Sequence, residues 1–367
     1  MSNALSGPVP GGVVRAPRLR LTANGAVIPN AIQATVTQTN EWTASRWAAH
    51  VALVDTEPMN AAWWSEQINV RIGIEVALDG QNFQTLLTGV IDQIEIERDT
   101  GLLTLSGRDL VALLIDAKTS NAYQNQTASE IATLLAQSVG LTPVVTATTQ
   151  PVGQFYAYDH VRLSLGDLAR SITDWDLLVY LAQQENFDVF VQGTSLYFQP
   201  VQAQSQPTFG ISWARIDGVA TSNVIGLQMS RSLTLAKQVT VTVKSWHSGR
   251  RYPIVSKISS QGVNAAGNQG PPQNYVFYKP NLTPAQATAY AQQKMNEITR
   301  HERVITFEMP GELTLNPRSV IGLTGTGTSF DQSYFPDQIE RTISFQAGFT
   351  QSVTARNSSP VNQTVIY

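Results

Sequence analysis

The sequence predicts a mainly β protein with an α/β portion: two antiparallel β domains, a small α/β domain between them and an inserted helical segment. Three observations carry this. Period-two alternation dominates residues 15–117 and returns in the last third. Helical spacing is confined to the middle and to one stretch near residue 290. At 367 residues the chain exceeds what one ordinary core fills.

The elements follow in order. Residues 1–14 form an N-terminal arm. In 15–117, "INVRIGIEVAL" places Ile68, Val70, Ile72, Ile74, Val76 and Leu78 on one face and Asn69, Arg71, Gly73 and Glu75 on the other, a long half-buried strand. Trp47, Val51 and Leu53 alternate likewise, and Asn24-Gly25, Asp79-Gly80 and Asp99-Thr-Gly101 are hairpin turns. This first domain is a barrel or a sandwich.

Residues 118–204 read as the small α/β domain. Thr127-Ala-Ser-Glu130 is a capping box ahead of Ile131, Leu134, Leu135 and Val139, with Gly140 as the stop. Leu165, Leu168 and Ile172 mark a short helix. Thr173 caps another bearing Trp175, Leu178, Val179 and Ala182, and two strands follow about Gly193.

Residues 205–246 and 303–357 form the second β domain, and "QVTVTVKSW" is one of its expected strands. They are interrupted by 247–302, a flexible Gly/Asn/Gln/Pro loop and a helix that Thr283 caps and Pro284 starts. Residues 358–367 are a tail. One echo links the two β domains: each runs from an Ile-Gly-aliphatic strand to Asp-Gln-Ile-Glu, at 92–95 and at 337–340. Duplication of a β domain would produce it.

Composition narrows function. Charged residues are 14% of the chain and the formal charge is −3, without a basic run, which argues against tight nucleic-acid binding. The absence of cysteine removes disulfides, thiol nucleophiles and Cys-ligated zinc. No signal peptide or membrane-spanning run is visible, so a soluble protein made in a cytoplasm is expected.

Candidate chemistry reads as structure. Around "SGRDLVALL", Ser106 lacks a neighbouring histidine, so Asp109 is assigned to helix capping and Arg108 to local pairing. Asp174 and Asp176 suit the first turn of a helix, Glu185 and Asp188 a helix end and a strand start, and both pairs read as solvated surface rather than glycosidase carboxylates. His50, His160, His247 and His301 occur singly, without metal-ligand spacing. "GLTGTGTSF" is a turn, not a phosphate loop.

In order, "GRDLVALLIDAK", "NQTASEIATLLAQSVGL", "DWDLLVYLAQQENFDVFVQGTSLYFQP" and "RHERVITFEMPGELTLNPRSVIGLTGTGTSFDQSYFPDQIERTISFQAGF" resemble the baseplate hub proteins of contractile-tailed bacteriophages, the late control gene D family. The resemblance spans residues 15–357, least well over 247–302. It implies a homotrimer whose subunits each carry two tail-tube-like antiparallel β-barrel domains, giving pseudo-six-fold symmetry. Such a ring adapts a six-fold tail tube to a three-fold central spike, beside other baseplate proteins, and forms part of the DNA ejection channel.

The implied protein is no enzyme and carries no cofactor, metal or membrane anchor; DNA passes through it without specific binding. Its place is the virion tail baseplate, assembled in the host cytoplasm. The nearest alternative is the spike-base hub of a phage-derived contractile injection machine; a tail-associated cell-wall hydrolase ranks behind both. Arg71, Glu75, Gln93, Glu95 and Glu97 alternate opposite the apolar rows and are the candidate channel-lining residues. An ordinary solvated face is the other reading.

Overall fold

The computed structural model describes residues 15–118, 123, 126–149, 151–152, 173–201, 208–233, 239–246, 253–259, 273–279, 282–299 and 302–357. The Leu165–Ile172 segment, three of the four histidines and most of the Gly/Asn/Gln/Pro loop lie outside them. The protein is mainly β, with few helices.

The first unit contains β1 (Arg18–Ala23), β2 (Ala26–Ile28), β3 (Ala31–Thr39), β4 (Arg46–Ala52), the short helix α1 (Ala61–Ser65), β5 (Arg71–Ala77), β6 (Gln84–Glu97) and β7 (Leu102–Asp109). Its strands lie in the order β2-β1-β5-β6-β7-β4-β3, all antiparallel. The β1–β2 turn uses Asn24 and Gly25 at φ 49° and 86°, the two positive values a tight twisted hairpin demands. Leu21, Val36, Trp47, Ile72, Ile74, Leu103 and Leu105 fill the core. Ile68 departs from its expected place: Asn69 adopts φ 54°, the strand starts at Arg71, and Ile68 is 82% exposed.

The small unit follows, with α2 (Val111–Asp116), β8 (Gln126–Thr127), α3 (Ala128–Ser138), β9 (Thr142–Val145), β10 (Pro151–Val152), α4 (Asp174–Glu185), β11 (Phe187–Gln192) and β12 (Ser195–Pro200). Both long helices open with a capping box, Thr127 with Glu130 and Thr173 with Asp176. Each box satisfies backbone N–H groups that would otherwise lack partners. Asn186, at φ 57°, ends α4 and turns the chain straight into β11. The core joins Leu110 and Leu114 to Ile131, Leu135, Trp175, Leu178, Leu181 and Phe198. Leu134, expected on the packed face, is 46% exposed.

The second β unit begins with β13 (Phe209–Ile216), β14 (Val219–Ser222) and β15 (Ile225–Arg231). An insertion intervenes: β16 (Val239–Ser245), β17 (Ile254–Ser259), β18 (Gln273–Tyr278) and α5 (Pro284–Thr299). Strand β16, expected in the second β domain, pairs with β17 and β18 instead. Its alternation buries Val239, Val241 and Val243 against Ala287, Ala291 and Met295 of α5, so the insertion has its own core and starts at β16. The unit resumes with β19 (Arg303–Pro310), β20 (Ile321–Thr324), β21 (Ser333–Ser344) and β22 (Gly348–Asn357).

The second β unit has the order β14-β13-β20-β21-β22-β19-β15, antiparallel except where β13 runs parallel to β20. In strand order this matches the first unit, and the direction differs at one pair, since β1 runs antiparallel to β5. The two sheets are continuous, because the C-terminal half of β21 pairs with β3, Gln338 opposite Thr39 through Ser344 opposite Gln33. Fourteen strands thus form one sheet.

Candidate functional site

The Asp-Gln-Ile-Glu echo has a structural counterpart. In the β6–β7 ladder the register slips between Ile91 and Gln93, leaving Asp92 as the bulged residue. In the β21–β22 ladder it slips between Pro336 and Gln338, leaving Asp337 bulged. Each bulged aspartate pairs with an arginine on the partner strand, Asp92 with Arg108 at 2.7 Å and Asp337 with Arg356. Each arginine faces the residue two positions before its aspartate, Val90 or Phe335. The preceding strand repeats too: Ile72 opposes Gly89 and Gly73 opposes Thr88, as Ile321 opposes Tyr334 and Gly322 opposes Ser333.

The seam between the units is held from β21. Arg341 is 2% exposed, and its guanidinium donates to the Glu312 backbone oxygen at 3.1 Å, to Gln351 Oε1 at 3.0 Å, to the Leu315 oxygen and to Gln38 of β3. Burial lowers its pKa to about 10, against the opposing pull of Glu312. Ile343 and Phe349, from the β21–β22 hairpin, enter the core of the first unit. Nothing in the sequence marks Arg341 as different from a surface arginine.

All five candidate channel residues lie on the outward face of the large sheet. Opposed residues share a face, and the ladder carries that face from Arg71 through Val90 and Arg108 to Ser106 and Gln93. Gln93, Glu95 and Glu97 come together on the exposed half of β6, where the Gln93 amide donates to Glu95 Oε1 at 2.6 Å and Thr100 to Glu97 at 3.0 Å. Arg71 and Glu75 stand apart from them on β5. Glu75 is bound by Arg20, whose guanidinium stacks 4.0 Å over Phe83, and Arg71 lies beside Gly140 of the small unit.

The opening of the small unit is structural. Asp109 ends β7; its oxygens accept the Ser45 N–H at 2.9 Å and the Val111 N–H at 3.1 Å. It therefore serves the start of α2 from one residue outside the N-cap, which is Leu110. Burial raises its pKa, and those hydrogen bonds pull the other way. Arg108 pairs locally with Asp116 at 2.9 Å as well as with Asp92.

The helix carboxylates divide. Asp176 sits in the capping box as expected. Asp174, expected on the solvated surface, is 5% exposed, and burial raises its pKa. Glu185 is also pushed up by burial. Asp188 is no free surface group: it accepts from Trp42 Nε1 at 3.3 Å and from Arg318 at 3.2 Å. These contacts tie the small unit to both β units beside a cleft of about 450 Å³ lined in part by Asp109, Trp175, Phe190, Arg318 and Arg341.

Among the described residues no group of three or more His, Asp or Glu side chains could hold a metal ion. His50 bonds to Thr104 at 3.1 Å. No described helix is long and apolar enough to cross a membrane.

Several solved structures share this fold. The tail protein from Neisseria meningitidis MC58 is 16% identical, with 93% of this chain and 96% of that one covered and a TM-score of 0.67. The 43 kDa tail protein of prophage MuSo2 from Shewanella oneidensis is 16% identical, with 93% and 98% covered and a TM-score of 0.65. An E. coli component of the type VI secretion system, described as structurally similar to T4 bacteriophage tail proteins, is 12% identical, with 95% and 79% covered and a TM-score of 0.56. No curated protein matches the chain. The Alg8 N-terminal domain family matches residues 16–344, and the chain belongs to that family.

Proposed function

We propose that this member of the Alg8 N-terminal domain family is the structural hub at the base of a contractile tail, a trimeric ring that adapts a six-fold tube to a three-fold spike. One observation carries the reading. Each chain holds two units with the same seven-strand order, with the bulged Asp92 and Asp337 in equivalent register. Three such subunits present six similar units to a tube and three identical chains to a spike. The shared fold with phage tail proteins and a type VI secretion component supports it.

In this role the protein is a scaffold and not an enzyme. Asp109, Asp176 and Asp188 are engaged in backbone capping and ion pairing, which supports structural work for them. The exposed Gln93, Glu95 and Glu97 face the channel, where their negative excess repels DNA phosphates and lets the duplex slide. A hub of a genome-free injection machine uses the same ring, and the likeness to the secretion component favours that second setting.

Native mass spectrometry and negative-stain imaging of the purified protein test the proposal. A trimer seen as a ring with a central hole is expected. A dimer overturns it.

A further inference from the structure

We propose that neighbouring subunits join by continuing the large sheet, the β15 edge of one lying antiparallel along the C-terminal half of β6 in the next. The argument starts inside one chain, where β3 pairs with the C-terminal half of β21. The repeat makes β15 the counterpart of β3 and β6 the counterpart of β21. The one internal seam is therefore a template for a second, and its occupant is another copy of this chain.

Among the described residues, neither counterpart has a strand on the required side. Among the described residues β15 forms a ladder only with β19, and β6 from Gln93 onward forms one only with β7. A free edge invites another strand, and proteins usually blunt such edges. This one carries Ile225 at 63% and Met229 at 41% exposure.

The register follows. Val36 opposes Trp47 as Met229 opposes Ile305, so Val36 corresponds to Met229 and Thr37 to Ser230. Relative to the bulged aspartates, Glu340 corresponds to Glu95 and Arg341 to Ile96. Since Glu340 opposes Thr37 and Arg341 opposes Val36, the intersubunit ladder sets Glu95 opposite Ser230, Ile96 opposite Met229 and Glu97 opposite Gln228. Ile96 and Met229 then cover each other, an apolar pair where the internal seam has Arg341 against Val36. The contact is head-to-tail and generates a ring if the rotation closes. Its copy number rests on the hub reading; the register does not.

The chain has no cysteine, so disulfide trapping is unambiguous. Directly opposed antiparallel residues have Cα atoms about 4.5–5.5 Å apart, within disulfide reach. Under mild oxidation of the full chain, Glu95→Cys with Ser230→Cys, and separately Glu97→Cys with Gln228→Cys, should give covalent oligomers ending at a closed trimer. Thr37→Cys with Glu340→Cys should close within one chain and serves as the geometric control. Glu95→Cys with Met229→Cys, one residue out of register, should trap little. If the control closes and neither intersubunit pair links chains, the proposal is overturned. Native mass spectrometry of the same samples separates the cases: an unlinked trimer places the subunit contact elsewhere and leaves the hub reading standing, whereas an unlinked dimer removes both.

Discussion

Arg318, at the edge of the second β unit, reaches Asp188 of the small unit at 3.2 Å while its guanidinium lies 4.1 Å from the centre of the Phe190 ring. Burial lowers the arginine's pKa, opposed by Asp188. Both side chains are about a quarter exposed, so the pair belongs between surface and buried classes. Arg318→Ala is expected to lower unfolding stability by about 1–2 kcal/mol. Arg318→Lys should recover only part of this, since ammonium neither stacks nor forks as guanidinium does. Urea denaturation of the variants is the check.

The half-buried Asp109 makes stability depend on pH. Its folded pKa is raised above its unfolded value, so the native state holds an extra proton in the interval between the two. Stability contributed by that proton is present below the interval and lost as pH rises through it; Asp174 and Glu185 act with the same sign. Asp109→Asn should flatten the decline just above pH ~4. Asp109→Ala should cost about 1–3 kcal/mol at every pH by stranding the Ser45 and Val111 N–H groups. Denaturation midpoints from pH 3 to 8 would decide; an Asn variant with an undiminished slope counts against this assignment.

Gly107 cannot accept a side chain. A Cβ there would lie 2.0 Å from the Val90 oxygen and 3.0 Å from the Trp47 ring. The second unit carries Ala355 at the corresponding place, opposite Ile305 instead of Trp47. Gly107→Ala should therefore lower stability by about 3 kcal/mol or more, visible as a depressed Tm or loss of soluble protein. An unchanged Tm would show that the β6–β7 bulge relaxes freely.

The channel position of β6 is testable by charge reversal. Particles carrying Glu95→Lys and Glu97→Lys together should assemble and package normally but eject DNA slowly, with the delay relieved by added salt. Unchanged ejection kinetics would put this face on the outside of the ring.

The sequence by itself determined those features that depend on near neighbours. The alternation of Val70, Ile72, Ile74 and Val76, the turn at Asn24-Gly25 and the capping boxes at Thr127 and Thr173 all reappear, because each is decided within a few residues. The Asp-Gln-Ile-Glu echo was legible as well, since a repeated bulge leaves a repeated local signature. What tertiary structure alone decided lies between residues far apart in the chain. Strand β16 alternates like any half-buried strand, and only its pairing with β17 and β18 assigns it to the insertion. Asp174 and Asp188 look like solvated helix-end carboxylates until packing buries one and sets Trp42 and Arg318 against the other. Arg341 seals the seam between the β units through partners on β3, β22 and the loop before β20, and no local pattern encodes such a set. Alternation specifies which side chains share a face; which strand, unit or neighbouring subunit meets that face depends on contacts that only the assembled sheet creates.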